Sequence, residues 1–232
     1  MSKILTEGGN VTATIKQTGE ETSAEKIDLK GIGRKEFMQK FVELFKTLNQ
    51  RFKREYGKFI WNDESLLTSG FAFNGSTSYI MNPDLSDEEV IKYKPSAGDL
   101  DLAVDVSLKE DLFEFLDSLE GTEIIPGAKY MGSNKPTLSS IGDQINSVIL
   151  IEFSNGIRVP AQVDFEFLEF QGDKPTEWAK FSHSSSFEDA KAQTTTGVRG
   201  VVKAWTDGKR YFQDEQGRVE IDSGLIIAVL KS

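Results

Sequence analysis

Three short stretches carry residues able to do chemistry. In "GDLDLAVD" (98–105), Asp99, Asp101 and Asp105 alternate with Leu100, Leu102 and Val104. A period of two describes a strand with its apolar side chains toward a core and its acids on the opposite face. Asp99 and Asp101 then lie about 6.5–7 Å apart along that face. Carboxylates this close repel unless a cation neutralises them. Mg²⁺ suits the pair, because it is a hard ion taken by one or two carboxylates together with substrate phosphates. A calcium loop also starts D-x-D, but Ala103 and Val104 stand where it needs an oxygen ligand and a glycine. Asp105 falls about 13–14 Å beyond Asp101, outside the pair's reach. A helix N-cap or a salt bridge is the expected role for it.

The second stretch, "FAFNGSTSYI" (71–80), reads as a short strand at 71–73 followed by a turn. Gly75 allows a sharp turn and close backbone approach to a ligand. Ser76 and Thr77 follow where a helix can start, a favourable place for phosphate. The third, "RVPAQVDFEFLEF" (158–170), repeats the alternation of acids with bulky apolar residues. A charged solvent face on an edge strand accounts for Glu166 and Glu169. For Asp164 that account is set aside because of the combination it joins.

A Gly-Ser turn after a strand, then an alternating Asp-x-Asp strand, then a later strand with a third acid resembles the DNA polymerase beta-like nucleotidyltransferase superfamily. "NGS", "GDLDLAV" and "QVDFEF" carry the resemblance. "SAGDLDLAVD", "MSKILTEGGNV" and "WAKFSHSS" further resemble nucleotidyltransferase-like proteins of tailed bacteriophages. The resemblance spans roughly residues 30–205. It implies an α/β (α+β) fold, with a mixed nucleotidyltransferase-type sheet and flanking helices. It also implies two Mg²⁺ or Mn²⁺ ions held by Asp99, Asp101 and Asp164, with Asp164 helping to deprotonate an acceptor hydroxyl. Gly75, Ser76 and Thr77 resemble the turn that binds the nucleotide's phosphates. The implied reaction transfers a nucleoside monophosphate from an NTP to a hydroxyl on a protein, an RNA end or a small molecule, releasing pyrophosphate. The 22 residues between Ser76 and Asp99 exceed the usual interval of about ten in that superfamily, so "NPDLSDEEVIKYKP" is expected to be an inserted loop.

Triphosphate binding calls for cations. Lys180 and Lys203 are the expected nucleotide-binding pair, with Lys191 and Arg199 in the same region. His183, the single histidine, is read as a hydrogen-bonded or surface residue, because two-metal chemistry does not require it. "GAKYMGSN" (127–134) has the glycine spacing of a P-loop, but Ser133 replaces the lysine such a loop needs.

The elements that position these residues follow from apolar spacing. Phe37, Phe41, Phe45, Leu48 and Phe52 recur at three and four residues and predict a core-facing helix over 34–57. Leu108, Leu112, Phe115, Leu116 and Leu119 predict a second helix, ended by Gly121. "SVILIEF" and "IRVPAQVDFEFLEF" flank a tight turn and read as paired strands. The expected organisation is an N-terminal arm or hairpin (1–31), a catalytic domain (32–205) and a C-terminal hairpin or strand extension (206–232).

Composition narrows the function. The chain has 232 residues, no cysteine and a net charge of −10. Thiol catalysis, disulfides and Cys-ligated zinc are excluded. No apolar run approaches the roughly 18 residues of a membrane helix, so no membrane partner is expected. The N-terminus lacks an apolar signal core. Cytoplasmic location is expected, in the host if the chain is phage-encoded. Residues 34–58 hold eight Lys/Arg against three Glu, a solvated face or a docking surface for an anionic partner. Two other functions compete: a catalytically inactive nucleotide-binding or assembly module, and a two-metal nuclease. The nuclease pattern wants Lys two residues after an acid on the second strand, and Leu168 stands there after Glu166.

Overall fold

The stripe of phenylalanines organises the core. The computed structural model describes residues 15–17, 20–22, 24–133, 144–183, 185, 187–192, 211–214 and 217–220. Helix α1 (Arg34–Tyr56) buries Phe37, Phe41, Leu44, Phe45, Leu48 and Phe52 along one side. Gly57 ends it in the left-handed region at φ 74° and donates its N–H to Lys53 O, a conformation that favours glycine. The Phe45 ring lies 6.2 Å from Trp61 and 5.9 Å from Phe73. Burying each such side chain contributes about 2 kcal/mol, so this one face supplies a large share of the apolar driving force.

The helix packs on a five-stranded mixed sheet. The strands are β1 (Asp99–Asp105), β2 (Glu123–Ile125), β3 (Ala128–Ser133), β4 (Gln144–Glu152) and β5 (Arg158–Leu168). Their order is β1-β5-β4-β3-β2. β1 and β5 run parallel, and the other neighbours are antiparallel. Leu100, Leu102 and Val104 of β1 and Val163, Phe165 and Phe167 of β5 join the α1 core. Helix α4 (Lys109–Ser118) adds Leu112, Phe115 and Leu116 to it. Asp105 caps the turn before that helix, accepting from Ser107 N at 2.8 Å, the first of the two roles expected for it.

Several expectations need correction. Residues 82–97 are not a loop throughout: helix α3 (Asp87–Tyr93) forms there, with Ser86 capping Glu89 N and Val90 buried in the core. Polar composition hides this helix, because only one of its faces is covered. The strand expected at 71–73 is a single antiparallel bridge, Phe73 to Leu102. Arg34, counted with the basic face of α1, is 2% exposed. Its guanidinium donates to the carbonyls of Ile80, Asn82 and Leu85 and to Asp87, fastening the segment before α3 to the core. β5 lies between β1 and β4 and is not an edge strand.

Short antiparallel pairs join Ile15–Gln17 to Glu20–Thr22 and Tyr211–Asp214 to Gly217–Glu220. Residues 128–133 of the P-loop-like stretch form β3. No described helix is long and apolar enough to cross a membrane.

Candidate metal centre

The parallel pairing of β1 with β5 builds the site. Its register sets Asp101 beside Asp164 and Asp99 beside Gln162. The alternation read in the sequence turns these acids away from the apolar core. Asp99, Asp101 and Asp164 each bring a carboxylate oxygen within 4.8 Å of the others. Residues some sixty positions apart thus converge because two strands share a register.

Asp164 is the most buried of the three, at 5% exposure. Its Oδ2 accepts from Gln162 Nε2 at 2.8 Å, whereas Oδ1 has no hydrogen-bond partner. A buried carboxylate oxygen left without a donor costs about 1–3 kcal/mol, so the site is built to receive a cation or a proton. The Asp164 carboxyl is pushed up to about 7, chiefly by burial and also by Asp99 and Glu166, against a downward pull from the Gln162 hydrogen bond. Asp101 is held well above the usual carboxylate range, first by burial and then by Glu166, Asp99 and Asp164, with Lys94 acting in the opposite direction. A divalent ion reverses this logic by favouring the ionised carboxylates.

The turn expected to bind phosphate lies against the acids. Gly75 adopts φ 49°, and a Cβ there would overlap Asp101 Oδ2. Only glycine lets the backbone come this close. The chain just before it runs along β1: Asn74 N donates to Asp101 O at 2.9 Å, and Ala103 N donates to Ala72 O at 2.8 Å. Thr77, fully buried, donates its hydroxyl to Asp99 O and accepts from Asp101 N, both at 3.2 Å. Its side chain therefore secures β1. Ser76 precedes the single helical turn α2 (Thr77–Ile80).

Helix α5 (Glu177–His183) closes one end of the acidic face. Its Ala179 packs with Ala103 and Leu168 there. Lys180 reaches the 71–74 segment rather than the carboxylates, and burial lowers its ammonium to about 8 against an upward pull from Glu166. His183 joins the site through its backbone, its carbonyl accepting from Gly75 N at 2.6 Å, while its Nδ1 pairs with Ala179 O at 3.0 Å. Lys191 lies 3.8 Å from Glu89. Lys203 and Arg199 fall outside the described residues.

Glu166 is the neighbour of the triad that sequence reasoning missed. It accepts from Asn74 Nδ2 at 2.6 Å and stands foremost among the charges acting on Asp101. Its spacing of two from Asp164 places it on the same face, and that was the available signal. An exposed edge strand was the wrong setting for it. Asn146, paired in register with Asp164 on β4, extends the polar row and accepts from Gln144 Nε2 at 2.7 Å.

No protein-family model, curated protein or solved structure matches this chain. The fold and site define a mixed α/β protein whose acidic triad, Asp99, Asp101 and Asp164, can hold a metal.

Proposed function

We propose that this protein is a metal-dependent nucleotidyltransferase that moves a nucleoside monophosphate from an NTP to a hydroxyl acceptor, with a nucleotidyltransferase-type fold. The observation that carries the reading is the convergence of Asp99, Asp101 and Asp164 beside a glycine turn whose backbone abuts Asp101. The donor set is all carboxylate oxygen, which fits Mg²⁺ or Mn²⁺ and disfavours softer metals.

Asp99, Asp101 and Asp164 would hold two such ions. When bound, these ions supply charge neutralisation for the phosphates and a lowered pKa for the acceptor hydroxyl. The chain's own part is positional. β1 and β5 fix the carboxylates through the core on their reverse face. Gln162 holds Asp164 through Oδ2, and Oδ1 is left without a hydrogen-bond partner. Gly75, lacking a side chain, brings the turn's backbone against the Asp101 carboxylate, so that turn and metal ligands lie together. In the balanced reaction, the acceptor oxygen forms a bond to the α-phosphorus, the bond to the pyrophosphate oxygen breaks, and the acceptor's proton leaves toward Asp164 or solvent.

The test is transfer of label from α-³²P-NTP in Mg²⁺ or Mn²⁺ to protein, RNA and small-molecule acceptors, alongside NTP binding by calorimetry. Transfer that disappears in Asp99→Ala/Asp101→Ala supports the reading. Absence of both transfer and NTP binding overturns it, and cleavage of plasmid or single-stranded RNA replaces it with a nuclease.

A further inference from the structure

Lys180 faces the backbone that carries Gly75. An ammonium has three N–H donors, and three acceptors on one short segment surround this one. They are Phe71 O at 2.7 Å, Phe73 O at 2.5 Å and Asn74 Oδ1 at 3.5 Å. The Phe71 ring covers it, with its centroid 4.9 Å from Nζ. Asn74 passes the connection on by donating Nδ2 to Glu166. His183 at the end of α5 and Ser185 beyond it add two backbone bonds, Gly75 N to His183 O and Ser185 N to Gly75 O at 3.1 Å. Residues 71–75 are thus stitched to β1 on one side and to α5 on the other, and their last residue is the one that abuts Asp101.

We infer that Lys180 is a positioning residue: it straps residues 71–75 in place so that the Gly75 backbone confines the Asp101 carboxylate, and it does not clamp a triphosphate. Its link to metal affinity rests on reading Asp99, Asp101 and Asp164 as the metal site. A lysine that binds phosphate must present free N–H groups, and here the Phe71 and Phe73 carbonyls take two, with Asn74 Oδ1 3.5 Å away. Groups that orient a ligating residue from behind affect metal affinity by about 10–100-fold. Removing the strap therefore acts on the metal before any nucleotide arrives.

Two measurements on Lys180→Met and Asn74→Ala test this. The first is amide hydrogen exchange without metal, which reads the strap alone. Asn74 and Gly75 are expected to exchange at least ~10-fold faster in Lys180→Met, with amides of the β4–β5 pair unchanged. The second is Mn²⁺ titration without nucleotide, in which both variants are expected to bind about 10-fold more weakly. Unchanged exchange at Asn74 and Gly75 overturns the strap. Unchanged Mn²⁺ affinity with weakened NTP binding overturns the positioning role and makes Lys180 a phosphate ligand. If the wild-type chain binds no Mn²⁺, the metal-site reading fails, while the exchange data still decide the strap. Should Lys180→Met not fold, Lys180→Gln, which also removes the ammonium, gives both readouts.

Discussion

Gly75 and Asp101 are in contact through a backbone that no other residue type can supply. Gly75 sits at φ 49°, and a Cβ at that position would overlap Asp101 Oδ2. The turn and the carboxylate are therefore one mechanical unit. Gly75→Ala must displace either the turn or the Asp101 side chain. We expect Mn²⁺ affinity to fall ~10-fold or more, by analogy with other changes behind a metal ligand. The melting transition should fall by an amount worth about 1–3 kcal/mol for strain at a positive φ. Calorimetric titration and thermal melts check both.

The raised carboxyl of Asp164 makes stability depend on pH in a definite direction. Its ordinary pKa is about 4, and in the folded chain it is about 7. Between these values the folded state keeps a proton that the unfolded state has released, so stability falls as pH rises. Below about pH 4 the effect vanishes, and above about 7 it is complete, on the order of a few kcal/mol. Asp164→Asn removes the titration. In EDTA, the variant should gain on the wild type progressively from pH 5 to 7. Added Mg²⁺ should stabilise only the wild type. Denaturant titrations across this range give the comparison, and a constant difference between the two proteins would count against the assignment.

Thr77 offers a contrast between two roles. Its hydroxyl bridges Asp99 O and Asp101 N. Thr77→Val keeps the shape but leaves both backbone groups unpaired, so a loss of about 1–3 kcal/mol is expected. Thr77→Ser should stay near wild type. Urea unfolding measures the loss. A Val variant of full stability but weaker NTP binding would reassign the hydroxyl to the phosphates.

Arg34 is the strut between α1 and the segment before α3. Truncation to Ala leaves the carbonyls of Ile80, Asn82 and Leu85 without their donor. A cost of at least about 1–3 kcal/mol is expected, the penalty of leaving a buried acceptor unpaired. Asp87 is partly exposed, so Asp87→Asn should cost about 1 kcal/mol or less. Equilibrium denaturation of the two variants checks the ranking.

The sequence by itself determined the strand at 99–105, the Phe-rich helix, and the pairing of an apolar with an acidic face, because periodicity directly encodes which side of an element is buried. It also singled out Asp99, Asp101 and Asp164. Tertiary structure alone decided their register: Asp101 meets Asp164 because β5 lies parallel to β1, a pairing that local spacing does not specify. The same holds for Glu166, whose setting changed once β5 proved internal, and for Lys180, whose donors turn to backbone rather than to phosphate. Arg34 shows the limit most clearly. A cation on a basic helix reads as surface charge until three carbonyls from a segment nearly fifty residues away close around it. Local sequence encodes the faces of elements, and the partners that meet across them are set by how the whole chain packs.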